Sequence, residues 1–451
     1  MNKYFKNVTF FEWVYAIVIT AFSFFPLLIA NAQHKKYEWD AIIATYDYDF
    51  FFGWIAVIAV ALQFFGTVLD RKFSLKTYWQ TRRPTCLFAI FYILAVFSTI
   101  LQVMRGTTLT GKELFFGTDL RLEGLFTYLV YILLFYMATQ IKTPILKRLI
   151  LYIFLAVGLY VCIMSFAGSF KEEYVAGIGF DVGTFLNPNH YGYYLAVLFG
   201  CVFALIISDK LSDNKIEISP KLSVNPDNIM AKSIYFLFFI LIVYVLTLAD
   251  ALGAYIACAA IVLFGVFALF ARKGNIKKGL LAVLALIVCG CLVLVAAMQI
   301  STRVDLTITQ LFKDIEMVLT KAPGAETAGT GRWVLWTETW DKILEKPFFG
   351  WGVEGITDYL GEKIGTVRTH NEYLQYWAFF GTFAIIAYLW GIISVYTNAY
   401  KNRKAITGIE IACLCGALGY AVNAFVGVSL LYSAPYFFIL LGLSNISSPK
   451  K

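Results

Sequence analysis

The chain has 451 residues, 60% of them hydrophobic and 15% charged, with a mean hydropathy of +0.71. Soluble domains carry roughly 45–50% apolar and about 25% charged residues, which excludes an ordinary water-soluble enzyme and makes a bilayer the solvent. The net charge of +8 is not a nucleic-acid footprint, because the basic residues follow the membrane topology.

A helical span needs about 20 mainly apolar residues. Runs of that kind lie at 11–30, 49–68, 85–103, 124–140, 149–167, 190–208, 234–250, 251–271, 279–299, 373–397, 408–424 and 427–443. They predict an all-α, polytopic membrane protein of about twelve transmembrane helices. The pairs within 234–271 and 408–443 divide in more than one way, giving a range of ten to thirteen. No small-residue cleavage site follows the first run, so it reads as a retained span.

With the N-terminus in the cytoplasm, about 23 of the 37 Lys and Arg residues fall in inner segments, against about 7 of the 29 Asp and Glu residues. Short inner loops dense in Lys and Arg obey the positive-inside rule. Both termini are therefore predicted cytoplasmic, in a multi-pass plasma-membrane protein whose lipid bilayer is its first partner. The cysteines at 86, 162, 201, 258, 289, 291, 413 and 415 all sit in apolar runs and read as small buried hydrophobes rather than disulfides or metal ligands. Residues 209–233, polar and containing Pro220 and Pro226, read as a flexible inner segment.

Three regions follow: a bundle of about nine spans over 1–299, an extracytoplasmic loop domain over 300–370, and C-terminal spans over 371–451. A loop as long as the second is usually functional or disordered. Residues 306–320 and 331–345 read as amphipathic helices, the latter after a Gly329-Thr330-Gly331 break. Trp333, Trp336 and Trp340 recur there at helical spacing, a stripe that fits headgroup-facing surface.

Charged groups retained at span ends are functional candidates. The long loop supplies Gly331-Arg332-Trp333, then Pro347-Phe348-Phe349-Gly350-Trp351-Gly352, then Thr369-His370-Asn371-Glu372-Tyr373-Leu374, then Gly381. His370 opens the tenth span, where an imidazole can take a hydroxyl proton near neutral pH. Arg332 offers a fork for phosphate oxygens, and the glycines at 350 and 352 allow a sharp bend between helices. Plainer readings stand beside these: His370 as a polar anchor, Asn187 as a helix cap before Pro188 and Asn189, Arg121 and Glu123 as an interfacial pair. A metal held by Asp40, Asp47 or Asp49 is a further alternative.

This constellation resembles the O-antigen ligases and the O-antigen and capsule polysaccharide polymerases. Their last large outer loop carries Gly-Arg followed by Trp, a Pro, Gly-x-Gly and then His-Asn at a span start. Gly183-Thr184-Phe185-Leu186-Asn187-Pro188-Asn189-His190 is similar to the family's Asn-Pro-Asn segment. Phe116-Gly117, then Arg121-Leu122-Glu123-Gly124-Leu125, is similar to polymerase-type members. The resemblance implies a type-C glycosyltransferase-like architecture. It also implies an enzyme of bacterial polysaccharide biosynthesis at the cell envelope, and the outer arginines without a clustered outer carboxylate motif predict that it needs no metal or other cofactor. Its donor would be a glycan on undecaprenyl pyrophosphate, and its acceptor a glycan hydroxyl on the outer face. Other polysaccharide export proteins are implied partners. His370 and Arg332 become the expected catalytic residues, with Arg121, Arg303, Arg105, Asn187, Asn189 and Asn371 as substrate-binding residues. The chain departs from the family at Ala251-Leu252-Gly253, where many members have Ser-Arg-Gly and the Arg meets the donor pyrophosphate. Arg121, Arg105 and Arg303 are the substitutes considered. The motifs fit a polymerase or a ligase, and the pattern at 121–124 favours a polymerase. The alternative is a transporter or lipid-linked glycan flippase, for which Gly66-Thr67-Val68-Leu69-Asp70-Arg71-Lys72 offers a partial signature.

Overall fold

The structure, a computed structural model, describes residues 8–28, 38–69, 74–118, 123–169, 171–175, 178–185, 187–208, 216–219, 222–224, 229–300, 302–428 and 433–445. It is helical, with two short antiparallel hairpins. β1 (Lys171–Val175) pairs with β2 (Ile178–Asp181), and β3 (Ile216–Ser219) with β4 (Leu222–Val224). The second hairpin lies in the segment expected to be flexible.

In chain order the helices are α1 (Phe10–Phe22), α2 (Glu38–Leu69), α3 (Leu75–Thr81), α4 (Arg83–Met104), α5 (Gly111–Phe116), α6 (Leu125–Gln140), α7 (Pro144–Phe166), α8 (Pro188–Ile207), α9 (Ile229–Ala249), α10 (Leu252–Arg272) and α11 (Ile276–Ile300). Then come α12 (Thr302–Thr320), α13 (Arg332–Glu345), α14 (Thr357–Ile364), α15 (Glu372–Phe380), α16 (Thr382–Lys401), α17 (Gly408–Asn423) and α18 (Ala434–Leu443). Every predicted apolar run holds a helix. Among the described residues, 8 helices are long and apolar enough to cross a membrane, and α1, α6, α17 and α18 are shorter apolar helices. The run 234–271 divides at Asp250 and Ala251. Asp70 to Lys72 of the transporter-like signature lie outside the described residues.

The core centres on α8, which packs on α17, α9 and α10. Small residues let the α8 and α17 backbones touch. A Cβ at Gly200 would stand 2.5 Å from the Cys415 carbonyl oxygen, and one at Gly416 2.6 Å from Cys201 Sγ. Membrane helices lack a hydrophobic drive toward each other, so close van der Waals approach takes its place. At the opposite extreme, α11 has only Gly279 buried and presents Leu284, Val288, Leu292 and Val295 outward. Its Cys289 and Cys291 are exposed, against the expectation of burial, while Cys162, Cys201, Cys413 and Cys415 are buried.

The expected tenth span is broken into α15 and α16 at Gly381, whose φ is 84°. Backbone groups freed by such a break must find partners within the protein, and Pro347 to Gly352 supply them. Trp351 N–H donates to the Ala378 carbonyl (2.9 Å), Gly352 N–H to Phe379 (2.7 Å), and Thr382 N–H to Pro347 (2.8 Å). From α4, the Ser98 hydroxyl also donates to the Phe379 carbonyl (2.8 Å) and Gln102 Nε2 to Val353 (3.1 Å). A Cβ at Gly352 would lie 2.1 Å from Gln102 Oε1, and one at Gly350 2.4 Å from the Phe379 carbonyl oxygen. The Gly-x-Gly motif therefore does more than bend the chain: it lets one backbone lie against another and seal a broken helix.

Candidate active site

Both predicted amphipathic helices form, as α12 and α13. Asp314 on α12 accepts the Gly329 N–H at 2.8 Å, which ties α12 to the loop that presents Arg332. The tryptophan stripe on α13 is not simply turned outward. Trp340 meets Trp377 of α15 edge-on at 5.3 Å, and Trp333 and Trp336 are half-buried. Only Trp340, 43% exposed, keeps a substantial outward face.

Arg332 is the first residue of α13, after Gly331 in the left-handed region. Its Nη1 donates to the Gly329 carbonyl (3.2 Å) and the Thr330 hydroxyl (2.8 Å), and its Nε to the Val426 carbonyl (3.3 Å). Burial lowers the guanidinium from its ordinary value, and the nearby Tyr193 phenol acts the other way.

His370 is half-buried and precedes α15, with φ at 49°. Asn371 caps that helix, accepting from the amides of Tyr373 and Leu374, both at 3.1 Å. The Thr369 hydroxyl donates to the Asn371 carbonyl at 2.7 Å. A left-handed non-glycine residue costs about 1–3 kcal/mol and such residues cluster at functional sites. Among the described residues the others are Asp250, Lys321, Thr330 and Glu354. Thr330 is itself a partner of Arg332, Glu354 is a partner of Arg368, and Asp250 precedes the Ala251-Leu252-Gly253 turn.

The α17 end joins these parts. The Glu372 amide donates to the Ala424 carbonyl at 2.9 Å, two residues before the carbonyl that holds Arg332. A Cβ at Gly427 would meet Tyr193 Oη at 2.3 Å, and one at Gly253 would meet Asn423 Oδ1 at 2.2 Å. The start of α8, the 251–253 turn, the α17 end, Arg332 and the α15 start thus form one neighbourhood. Asn187 caps α8 by accepting the Asn189 amide at 2.8 Å, with Asn189 exposed.

Arg105 stands elsewhere. It is exposed and donates to the Gly350 carbonyl at 3.0 Å, near the C-terminal end of α15, about 12 Å along that helix from His370 at 1.5 Å per residue. Arg121 lies outside the described residues. Arg303 is in the first turn of α12, its side chain outside those described, as are the side chains of Asp40 and Asp49. Asp47 is exposed. Among the described residues no three His, Cys, Asp or Glu side chains are grouped to hold a metal ion.

Two buried polar systems flank His370, and neither Arg368 nor Glu372 was assigned a role from sequence. Arg368, 2% exposed, forks onto Glu354 with Nη2 to Oε1 at 2.6 Å and Nη1 to Oε2 at 2.8 Å. It also reaches Glu123 Oε2 at 3.5 Å. Burial works to lower the Arg368 pKa, but Glu354 and Glu123 more than offset it, so the group sits above its ordinary range. On the other side Glu372 has no exposed surface. Its carboxylate accepts the hydroxyls of Tyr388 (3.0 Å) and Tyr420 (2.7 Å). The signal for both systems was charge beside an apolar run; their partners come from 14 to 245 residues away.

Residues 237–389 match the family model described as O-antigen ligase. No curated protein matches the chain. The matched span covers Arg332, Glu354, Arg368, His370 and Glu372 and leaves out Asn187 and Glu123. Over residues 237–389 the chain is thus similar to the O-antigen ligase family.

Proposed function

We propose that the protein is a polysaccharide polymerase or ligase that transfers a glycan from an undecaprenyl-pyrophosphate carrier to an acceptor sugar hydroxyl. We place the reaction on the outer face of the bacterial plasma membrane, with both termini cytoplasmic. The single observation that carries this reading is the fastening of Arg332 and the His370 turn to one backbone stretch, Ala424 to Val426. A candidate base and a cation whose anchors share one backbone stretch suit displacement of a pyrophosphate by a hydroxyl.

In this mechanism His370 takes the acceptor hydroxyl proton as that oxygen attacks the anomeric carbon. The bond from that carbon to the pyrophosphate oxygen breaks, and the lipid pyrophosphate leaves with its electron pair. Arg332 stabilises the charge developing on the phosphoryl oxygens. Its partly buried setting strengthens that interaction relative to water. Pyrophosphate is already a good leaving group, so the reading is metal-independent. The acidic residue of the 121–124 pattern is the buried Glu123, and that pattern favours a polymerase.

The test uses the purified full chain in detergent with a lipid-pyrophosphate glycan donor and an acceptor glycan, with and without EDTA. Glycan transfer that survives EDTA supports the reading. Transfer that needs magnesium or manganese overturns metal independence. No transfer, with uptake only in a sealed bilayer, favours the transporter alternative.

A further inference from the structure

The His370 turn combines a left-handed non-glycine residue with a fully buried acid two positions on. Leaving a carboxylate in the interior is costly unless it is well hydrogen-bonded, and an apolar side chain of similar size often serves stability as well or better. The retained Glu372 therefore calls for an account beyond packing.

Its contacts give one. Glu372 is the first residue of α15, where the helix dipole favours negative charge. Its two oxygens take one hydroxyl from α16, that of Tyr388, and one from α17, that of Tyr420. Its amide binds Ala424 at the α17 end. One residue thus pins the start of α15 to two other helices in three directions. The Ala424 to Val426 stretch that it grips is also the stretch that Arg332 binds.

We propose that Glu372 is a positioning residue for the transfer reaction: it holds the left-handed His370 turn against the Ala424 to Val426 backbone and so sets the imidazole relative to Arg332. The inference rests on the proposed function for its kinetic consequence but not for its geometry. Tyr388 and Tyr420 act through the same carboxylate. Misplacement of a reacting group by about 1 Å costs on the order of 10²-fold in rate, and that scale sets the expected loss.

The full chain is tested as Glu372→Ala, Glu372→Gln, Tyr420→Phe and the Glu372→Gln/Tyr420→Phe pair. Two measurements are made: transfer kinetics, and the histidine NMR titration of the labelled protein, with His370 assigned by its loss in His370→Ala. Glu372→Ala is expected to lower kcat about 10²-fold with acceptor KM nearly unchanged. Glu372→Gln, which keeps one oxygen acceptor, is expected to recover most of that loss. The paired variant is expected to be less harmful than the product of its singles, because both act on one anchor. The His370 resonance is expected to shift in Glu372→Ala and Tyr420→Phe.

Wild-type kcat in Glu372→Ala overturns the proposal. Glu372→Gln as inactive as Glu372→Ala also overturns it, in favour of a direct proton role for the carboxylate. Should Glu372→Ala not fold, Tyr420→Phe decides alone: unchanged kcat and an unmoved His370 resonance overturn the proposal. If the wild type transfers no glycan, the functional reading fails, and the His370 resonance still decides whether Glu372 positions the turn.

Discussion

Arg332 and Glu372 are fastened to the same backbone, two residues apart: Arg332 Nε binds the Val426 carbonyl at 3.3 Å and the Glu372 amide binds Ala424 at 2.9 Å. They stand 40 positions apart in sequence, and the end of α17 gives them a common anchor. This arrangement fixes where a cation stands relative to the His370 turn, and it makes the two ends of the loop interdependent.

Substitution of the two expected catalytic residues tests the reaction directly. His370→Ala is expected to cut transfer by about 10²–10⁴-fold, the usual worth of a general base. Arg332→Lys is expected to be poor as well, because an ammonium does not reproduce the fork that serves Val426, Gly329 and Thr330 together. Glycan chain length on gels, at matched protein level, is the measurement. Long chains from His370→Ala would leave that residue as a polar anchor only.

The Arg368 system predicts a stability loss of a specific form. Arg368→Met leaves Glu354 and Glu123 buried without their cation, and breaking such a pair costs about 3–5 kcal/mol. Adding Glu354→Leu and Glu123→Leu to the same chain is expected to recover much of it, since well-packed apolar groups can replace a buried ion cluster. Thermal unfolding in detergent reads both. A single Arg368→Met with wild-type stability would show that the cluster is not closed.

Three glycines separate close approach from open space. Gly381→Ala puts a Cβ 2.2 Å from the Phe348 carbonyl oxygen at a φ of 84°, and Gly352→Ala one 2.1 Å from Gln102 Oε1 at 92°. Each is expected to cost at least the 1–3 kcal/mol typical of a strained left-handed residue, roughly, and to loosen the sealed break. Gly290→Ala, in α11 with nothing within 4 Å, is expected to be neutral or slightly stabilising. Melting temperatures of the three variants in one detergent compare them.

A pH dependence follows from Glu338 on α13. The Lys363 ammonium, at 2.6 Å, and then the Tyr359 hydroxyl hold its carboxyl below the ordinary value of 4.5. A lowered folded-state pKa stabilises the fold in full above the ordinary value, and that contribution is lost as pH falls through the lowered one. Limited proteolysis of the 332–364 region is therefore expected to speed up below pH 4.5 in the wild type. Glu338→Gln should flatten that dependence, and an equal acceleration in both proteins would remove Glu338 as its source.

The proposed orientation is open to labelling. In a chain without its 8 native cysteines, Glu326→Cys on the loop and Asn275→Cys between α10 and α11 occupy exposed positions. An impermeant thiol reagent on intact cells or spheroplasts is expected to mark the first and spare the second. The reverse pattern would turn the protein over and put the site in the cytoplasm.

The sequence by itself determined the solvent and the element list. Apolar runs of span length state where helices cross a bilayer, because each residue's transfer to lipid is a local property. One cap was legible for the same reason, since Asn187 bonds an amide two residues away; that Asn371 also caps a helix came only with the structure. The site was legible only in part. His370 and Arg332 stood out as charge at a boundary, but the meaning of Glu372 and Arg368 lies with Tyr388, Tyr420, Glu354 and Glu123. Those partners are brought in by packing of helices distant in the chain. The break at Gly381 was likewise hidden, since its apolar sequence reads through as one span. What permits the break is the set of hydrogen bonds from Pro347 to Gly352, and a backbone partner leaves no mark in the residues it serves.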